Sequence, residues 1–255
     1  MSPGTNVQQV TGEIVLRSLQ NTGLQISSSF DAMYSDDLKA FAFGIADYYN
    51  YLQEIINRDG VSDADFQSAL LFWTGLNTLM ASMEILRRGY TKEPNVLLRS
   101  ALEIFAAAHH IHVDPTKYAE FAKNNGTFDS TKSISAVTNI HPFIGRLYGG
   151  LSDMFTHVSS MHSLPHLPPY ALAVGGVFDE DKQEHAAIIL AGLLSCSDVL
   201  GSILEITMIE YIPQPKHWTK SNGGYHFSVD QERGEHYIRM IQGALEKIDR
   251  EESIA

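Results

Sequence analysis

The stretch PNVLLRSALEIFAAAHHIH, from Pro94 to His112, decides the fold. Its apolar residues lie on nearly every side of a helical projection, and a helix of this kind is buried at the centre of a protein. Proline is tolerated in the first turn of a helix, so the helix can begin at Pro94. We therefore predict a central buried helix over residues 94–112, with the other elements packed around it.

Two amphipathic helices are predicted before the central one, because their apolar residues recur at steps of three and four. The first covers residues 36–57. Its apolar face contains Leu38, Phe41, Ile45, Tyr48, Leu52 and Ile55. The second covers residues 63–88, where Ser62 can cap the first turn and Gly89 can end the helix. Its predicted apolar face contains Phe66, Leu70, Trp73, Leu76, Met80, Met83 and Leu86.

The sequence after the central helix predicts further helices over residues 115–124, 143–157 and 179–212, each with a proline at one boundary. A loop over residues 213–227 leads to a last helix. That helix begins near Ser228, which can form a capping box with Gln231.

The remaining segments are irregular. Residues 158–178 are rich in proline and glycine, which excludes a regular helix, and a small hairpin is predicted near residues 170–178. Residues 1–30 are polar and are predicted to form a flexible lead-in. Residues 31–250 show no internal repeat and no break in composition. We therefore predict an all-α protein, with one helical-bundle domain of about six main helices.

Composition and charge limit the classes of function. The chain has 255 residues, a formal net charge of −12 and a pI near 5.3. So acidic a protein lacks the positive field that attracts nucleic acid or anionic lipid. It has one cysteine, which excludes an intramolecular disulfide, and its polar start is not the pattern of a secretory signal.

The apolar run over residues 186–204 contains Asp198, and its uncharged part is shorter than the roughly 20 residues that cross a bilayer. We therefore expect a soluble, cytoplasmic protein that binds neither nucleic acid nor membranes.

Motifs of the common cofactor-binding and hydrolytic classes are missing. The sequence has no phosphate-binding P-loop, no dinucleotide-binding glycine pattern and no Cys-x-x-Cys. It also has no Gly-x-Ser-x-Gly and no His-Glu-x-x-His. We therefore predict no cofactor.

Charged side chains on the central helix form the first candidate site. A residue advances about 100° around a helix axis, so Arg99, Glu103 and His110 fall within about 40° of one another. A charge among apolar residues is costly unless it is paired. Two interpretations remain open. Arg99 and Glu103 satisfy each other inside the core, or the three residues line a pocket.

The segment after Pro142 supplies a second polar set. In a helix over residues 143–157, Tyr148 and Ser152 share one face, and their hydroxyls can both donate and accept hydrogen bonds. Another face carries an Asp and a His four residues apart, which can hold a divalent metal, orient the imidazole or form a pair on the helix surface. Histidines in the following loop extend this set. The candidate metal ligands are Asp153, His157, His162 and His166.

Residues from Leu70 to His157 contain a pattern that joins the two polar sets. Its members are Arg87-Arg88-Gly89-Tyr90, Glu93, Leu97-Leu98-Arg99-Ser100, Glu103, Tyr148, Leu151-Ser152 and His157. With this pattern the chain resembles a bacterial family of helical proteins of uncharacterised function. Such proteins are distantly similar to HEPN domains, which occur in phage-defence and toxin–antitoxin systems. The resemblance implies an all-helical fold in which Arg99, Glu103, Tyr148, Ser152 and His157 lie near one another.

Active HEPN ribonucleases carry an Arg followed by a His after four to six residues, where Arg holds the phosphate and His helps to activate the ribose hydroxyl. This chain departs from that pattern. The first histidine after Arg99 is His109, which is too far along, whereas Arg233 and His236 are too close. The resemblance therefore implies the fold more strongly than the ribonuclease activity.

Three functions remain open. We favour a non-catalytic module that binds a small ligand or a protein partner and that can form a homodimer, because the chain is acidic and lacks catalytic motifs. The alternatives are a metal-independent, HEPN-like ribonuclease and a metal-dependent enzyme that uses Asp153 and His157. The candidate binding residues are Arg99, Glu103, His110, Tyr148, Ser152 and His157.

Overall fold

The computed structural model describes residues 13, 16, 20, 23–90, 92–123, 129–141, 143–152, 180–221 and 224–227. The helices within these ranges are α1 (Gly23–Met33), α2 (Ser35–Ile56), α3 (Asp63–Arg87), α4 (Glu93–Val113), α5 (Pro115–Lys123), α6 (Ser130–Thr138), α7 (Phe143–Leu151) and α8 (Glu180–Thr207). The strands β1 (Trp218–Ser221) and β2 (Gly224–Phe227) pair antiparallel. The all-α prediction is confirmed, since this short hairpin is the only sheet among the described residues.

Helices α3 and α4 form the centre of the bundle. Ser68 of α3 donates a side-chain hydrogen bond to the carbonyl oxygen of Ala108 (2.9 Å), near the end of α4. Ser82, further along α3, donates to the carbonyl oxygen of Pro94 (2.7 Å), near the start of α4. The two helices are therefore antiparallel, and buried hydroxyls join them at both ends.

The face that α3 presents to α4 includes small residues beside Phe72, which corrects part of the prediction. A Cβ atom at Gly75 would lie only 2.5 Å from the ring of Phe105, so glycine is required for this close approach. Phe66, Leu70 and Met80, which we predicted on the apolar face, are exposed instead. Close packing of α3 against α4 buries the side of α3 that carries Ser68, Gly75 and Ser82. Part of the bulkier apolar side is left exposed as a result.

Helices α2 and α8 pack against this pair and complete the core. On α2 the predicted apolar face is confirmed, and its fully or almost fully buried members are Phe41, Ile45, Tyr48, Leu52 and Ile55. On α8, Ile203 and Leu204 are fully buried, and the helix ends at Thr207 rather than at the predicted residue 212.

Residues 23–30 are not the flexible lead-in that we predicted, because they belong to α1. Phe30 is fully buried, and its ring contacts that of Tyr34 at a centroid distance of 4.7 Å. Ile26, one helical turn earlier, is also buried. Burial of these apolar side chains stabilises an N-terminal segment whose composition is otherwise polar.

Helix α6 lies in a region for which we predicted no regular element. Asp129 caps its first turn by accepting hydrogen bonds from the backbone N–H groups of Thr131 and Lys132. Ile134 and Val137 are buried on its inner face.

The hairpin β1–β2 lies in the segment that we predicted as a loop. Gly224 has a φ of 122°, which residues with a side chain rarely adopt. Trp218 is buried, and its ring lies 5.3 Å from that of Phe227 on the opposite strand. The predicted hairpin near residues 170–178 and the predicted last helix lie outside the described residues.

Two described helices are long and apolar enough to cross a membrane, namely α3 and the part of α8 from Ala186 to Thr207. Of their most apolar windows, 44% and 61% of residues are buried inside the protein. Core helices of soluble proteins have the same length and composition, so this property by itself does not place the chain in a membrane.

Candidate functional site

Arg99 of α4 is the centre of a hydrogen-bonded cluster that joins α4 to α7. Its Nε donates to the hydroxyl of Ser152 (2.8 Å), and its Nη2 donates to the hydroxyl of Tyr148 (2.9 Å). The same Nη2 lies 3.1 Å from Oε1 of Glu103. Tyr148 in turn donates its hydroxyl hydrogen to that Oε1 (2.9 Å). We call Arg99, Glu103, Tyr148 and Ser152 the Arg99 cluster.

Helical spacing explains how each half of the cluster forms. Arg99 and Glu103 are four residues apart on α4, so they project from one side of that helix. Tyr148 and Ser152 have the same spacing on α7 and the residue that follows it. Helix α7 is anchored in the core by three buried apolar residues, Ile144, Leu147 and Leu151.

The Arg99 cluster is half-buried. The side chains of Arg99 and Glu103 keep 20% and 25% of their exposure, whereas Ser152 is buried. The guanidinium carbon of Arg99 lies 4.9 Å from the ring centroid of Tyr148, which adds a cation–π contact. Nη1 of Arg99 and Oε2 of Glu103 have no hydrogen-bond partner among the described residues. Tyr148 and Ser152 therefore hold the ion pair in place, while part of it remains exposed to solvent.

The other predicted site residues are placed differently. Nδ1 of His110 lies 3.3 Å from the hydroxyl of Ser133 on α6, so His110 contacts that neighbouring helix. The remaining predicted residues, Asp153, His157, His162 and His166, lie outside the described residues. Within the described ranges, no three His, Cys, Asp or Glu side chains converge so as to hold a metal ion. The metal hypothesis at Asp153 and His157 stays a prediction.

A second polar constellation was not predicted from the sequence. Asp65, in the first turn of α3, accepts a hydrogen bond from Tyr211 (2.7 Å), and its other oxygen lies 2.6 Å from Nδ1 of His112. Desolvation opposes ionisation of Asp65, but hydrogen bonds from Tyr211, Ser62 and His112 together lower its pKa. Burial and the contact with Asp65 raise the pKa of Tyr211 to about 12. Capping residues near Ser62 were the only sequence signal for this group.

Two buried histidines, His109 and His141, contact hydroxyl groups of α8 inside the bundle. Thr207 donates its hydroxyl hydrogen to the carbonyl oxygen of Ile203 (2.6 Å), so Nδ1 of His109 donates to Thr207 (2.9 Å). Ser202 lies 2.9 Å from Nε2 of His141. Burial lowers the pKa of both His109 and His141 to about 4, so both imidazoles are neutral at pH 7.

A third polar group lies where α2 and α8 meet the residue before β1. Glu205 of α8 is fully buried, and its Oε2 accepts the backbone N–H of His217 (2.7 Å). Oε1 lies 3.1 Å from Nδ1 of His217, but the contact is not aligned as a hydrogen bond. The hydroxyl of Tyr48 lies 3.5 Å from the same Nδ1. Burial, followed by the charges of Glu205 and Asp198, raises the pKa of Tyr48.

Comparisons with protein-family models, with curated proteins and with solved structures found no match.

Proposed function

We propose that this chain is a non-catalytic binding module that uses the Arg99 cluster to hold a small polar ligand or a polar group of a partner protein. One observation carries the proposal. The Arg99–Glu103 pair is oriented by Tyr148 and Ser152, and a fifth to a quarter of each charged side chain remains exposed.

Pre-organisation supports binding at this cluster. Ligand sites place a few polar groups in fixed orientations, and groups that are already ordered lose less entropy when a ligand binds. Nε and Nη2 of Arg99 already contact Ser152, Tyr148 and Glu103. Nη1 remains as a donor and Oε2 of Glu103 as an acceptor within the described part of the chain. A ligand group that both accepts and donates, such as an amide, matches these two atoms.

Charge supports a ligand that is not a polyanion. The positive charge of Arg99 is balanced by Glu103 at 3.1 Å, and the whole chain carries a formal net charge of −12. Neither feature attracts nucleic acid. The proposal includes a soluble, cytoplasmic protein. A homodimer stays a prediction, which light scattering coupled to gel filtration tests directly.

The test compares chemical probes on three proteins. Acetamide, acetate and inorganic phosphate are titrated against the wild type, Arg99→Gln and Arg88→Gln, and the shift in Tm is measured at each concentration. Arg88 is a matched control, because it also contacts a glutamate one turn away, Glu84 at 2.8 Å, but is exposed.

We expect acetamide to raise the Tm of the wild type and of Arg88→Gln in a saturable way, and to leave Arg99→Gln unchanged. Each shift in Tm is measured relative to the same protein without probe, so differences in stability between the variants do not affect the comparison. If no probe stabilises the wild type, or if all three proteins respond equally, the Arg99 cluster is a structural network only.

A further inference from the structure

Glu205 is the one carboxylate among the described residues that is fully buried. A buried charge is costly unless it is neutralised, and a buried oxygen without a hydrogen bond adds to that cost. Oε1 of Glu205 has no hydrogen bond from the described residues. A native structure accommodates such a group when a water molecule or a bound ion satisfies it.

Two further donor atoms extend this group. Nδ1 of His217 is 3.1 Å away, and the hydroxyl of Tyr48 is 3.5 Å from that nitrogen. Gly201 allows Tyr48 to lie there, because a Cβ atom at that position would overlap the tyrosine hydroxyl. Helix α2, helix α8 and the residue before β1 therefore bring one phenol, one carboxylate and one imidazole into the same region.

We propose that Glu205, His217 and Tyr48 bind one divalent transition-metal ion of the zinc or cobalt kind. Metal bonds of about 2.1 Å place two ligand atoms about 3.0 to 3.4 Å apart when the angle between the bonds is about 90° to 109°. The separation of Oε1 and Nδ1, 3.1 Å, falls within this range. A carboxylate and an imidazole that share a metal also meet off the axis of a hydrogen bond, as they do here.

The chemistry of the donors suits such an ion. Imidazole nitrogen favours zinc, copper, iron and nickel, and a carboxylate supplies the negative charge. For His217 to bind through Nδ1, its hydrogen resides on Nε2 and any second proton is released to solvent. The carboxylates of Glu205 and Asp198 lie near Tyr48, and their negative charges make the region attractive to a cation.

A metal here would tie the hairpin to the bundle. Tyr48 belongs to α2, Glu205 to α8, and His217 comes directly before β1. Metal binding adds its free energy to folding when the site does not exist in the unfolded chain. The expected consequence is a fold that zinc stabilises.

The test uses the full-length chain after treatment with a chelator and dialysis. We measure Tm with added ZnCl2 and with EDTA, and we measure zinc content per chain by elemental analysis. At a free zinc concentration about 100 times the Kd, we expect Tm to rise by about 5 to 10 °C, with one zinc per chain. Cobalt should give visible ligand-field absorption that zinc displaces.

Two variants distinguish this site from surface histidines. His217→Gln should weaken zinc binding at least about 10-fold, whereas His226→Gln, which changes an exposed histidine of β2, should leave it unchanged. If His217→Gln fails to fold, the wild-type titration still decides the question. No rise in Tm, no bound zinc, or equal binding by both variants would show that Glu205 and His217 form only a buried ion pair.

The outcome is independent of the binding function proposed above, because the Arg99 cluster belongs to α4 and to the segment from Tyr148 to Ser152.

Discussion

Replacement of Glu103 by alanine tests whether the Arg99 cluster stabilises the fold. The substitution removes the acceptor of the Tyr148 hydroxyl at 2.9 Å and the partner of Arg99 at 3.1 Å. Hydrogen bonds to charged groups contribute about 1.5 to 3 kcal/mol each when buried, whereas an exposed ion pair contributes about 0.2 to 1 kcal/mol. Because Glu103 is 25% exposed, we expect a loss between these limits, about 1.5 to 3 kcal/mol in all. That is less than the roughly 3 to 5 kcal/mol for breaking a sealed pair.

The assay is urea unfolding at pH 7, supported by thermal denaturation. For a chain of this size the loss corresponds to a fall in Tm of about 3 to 12 °C. Glu54→Ala is the control, since Glu54 is an exposed glutamate within α2 and the same change in helix propensity applies. An equal urea midpoint for both variants would refute the reasoning, because the network around Arg99 would then contribute nothing.

Packing, buried histidines and solubility each give a further prediction. Gly75→Ala should destabilise the protein by about 1 to 3 kcal/mol, because the new Cβ atom would overlap the ring of Phe105. We expect this loss even though alanine favours a helix by about 1 kcal/mol over glycine. An unchanged urea midpoint would contradict the prediction. The free energy of unfolding should fall as the pH drops from 6.5 toward 4. His109 and His141 have a pKa of about 4 in the folded protein, whereas the ordinary histidine value is 6.5. Between these two values the unfolded chain binds more protons than the folded one, which favours unfolding. Replacing both histidines by glutamine should flatten this pH profile, and a profile as steep as that of the wild type would contradict it. After lysis without detergent and ultracentrifugation, the chain should remain in the supernatant, and recovery in the membrane fraction would refute its solubility.

Local spacing accounts for most of what could be predicted. The apolar period of α2 and the apolar composition of α4 identified the core helices, because side chains four residues apart share one side of a helix. The same rule placed Arg99 and Glu103 on one side of α4, and their pairing was one of the two interpretations that it left open. For His110 the rule gave only the side of the helix, and the structure places its Nδ1 3.3 Å from the Ser133 hydroxyl of α6, since a helical projection does not say which neighbour a side chain meets.

Long-range groups could not be found in this way. Asp65 contacts His112 and Tyr211, which are 47 and 146 positions away along the chain. No local period connects such residues, and their contact depends on how α3, α4 and the end of α8 meet. The one long-range expectation placed Tyr148 and Ser152 beside Arg99, and it depended on the family resemblance together with the need of Arg99 and Glu103 for polar partners.

By itself, the sequence determined the helical class, the central position of α4 and the placement of Arg99 and Glu103 on one side of it, because each depends on residues within a few turns. Only the tertiary structure decided which side of α3 is buried, where α1 packs, and that Glu205 lies fully buried beside His217. These features depend on packing between distant elements, where the close approach permitted by Gly75 outweighs the burial of larger apolar side chains such as Phe66.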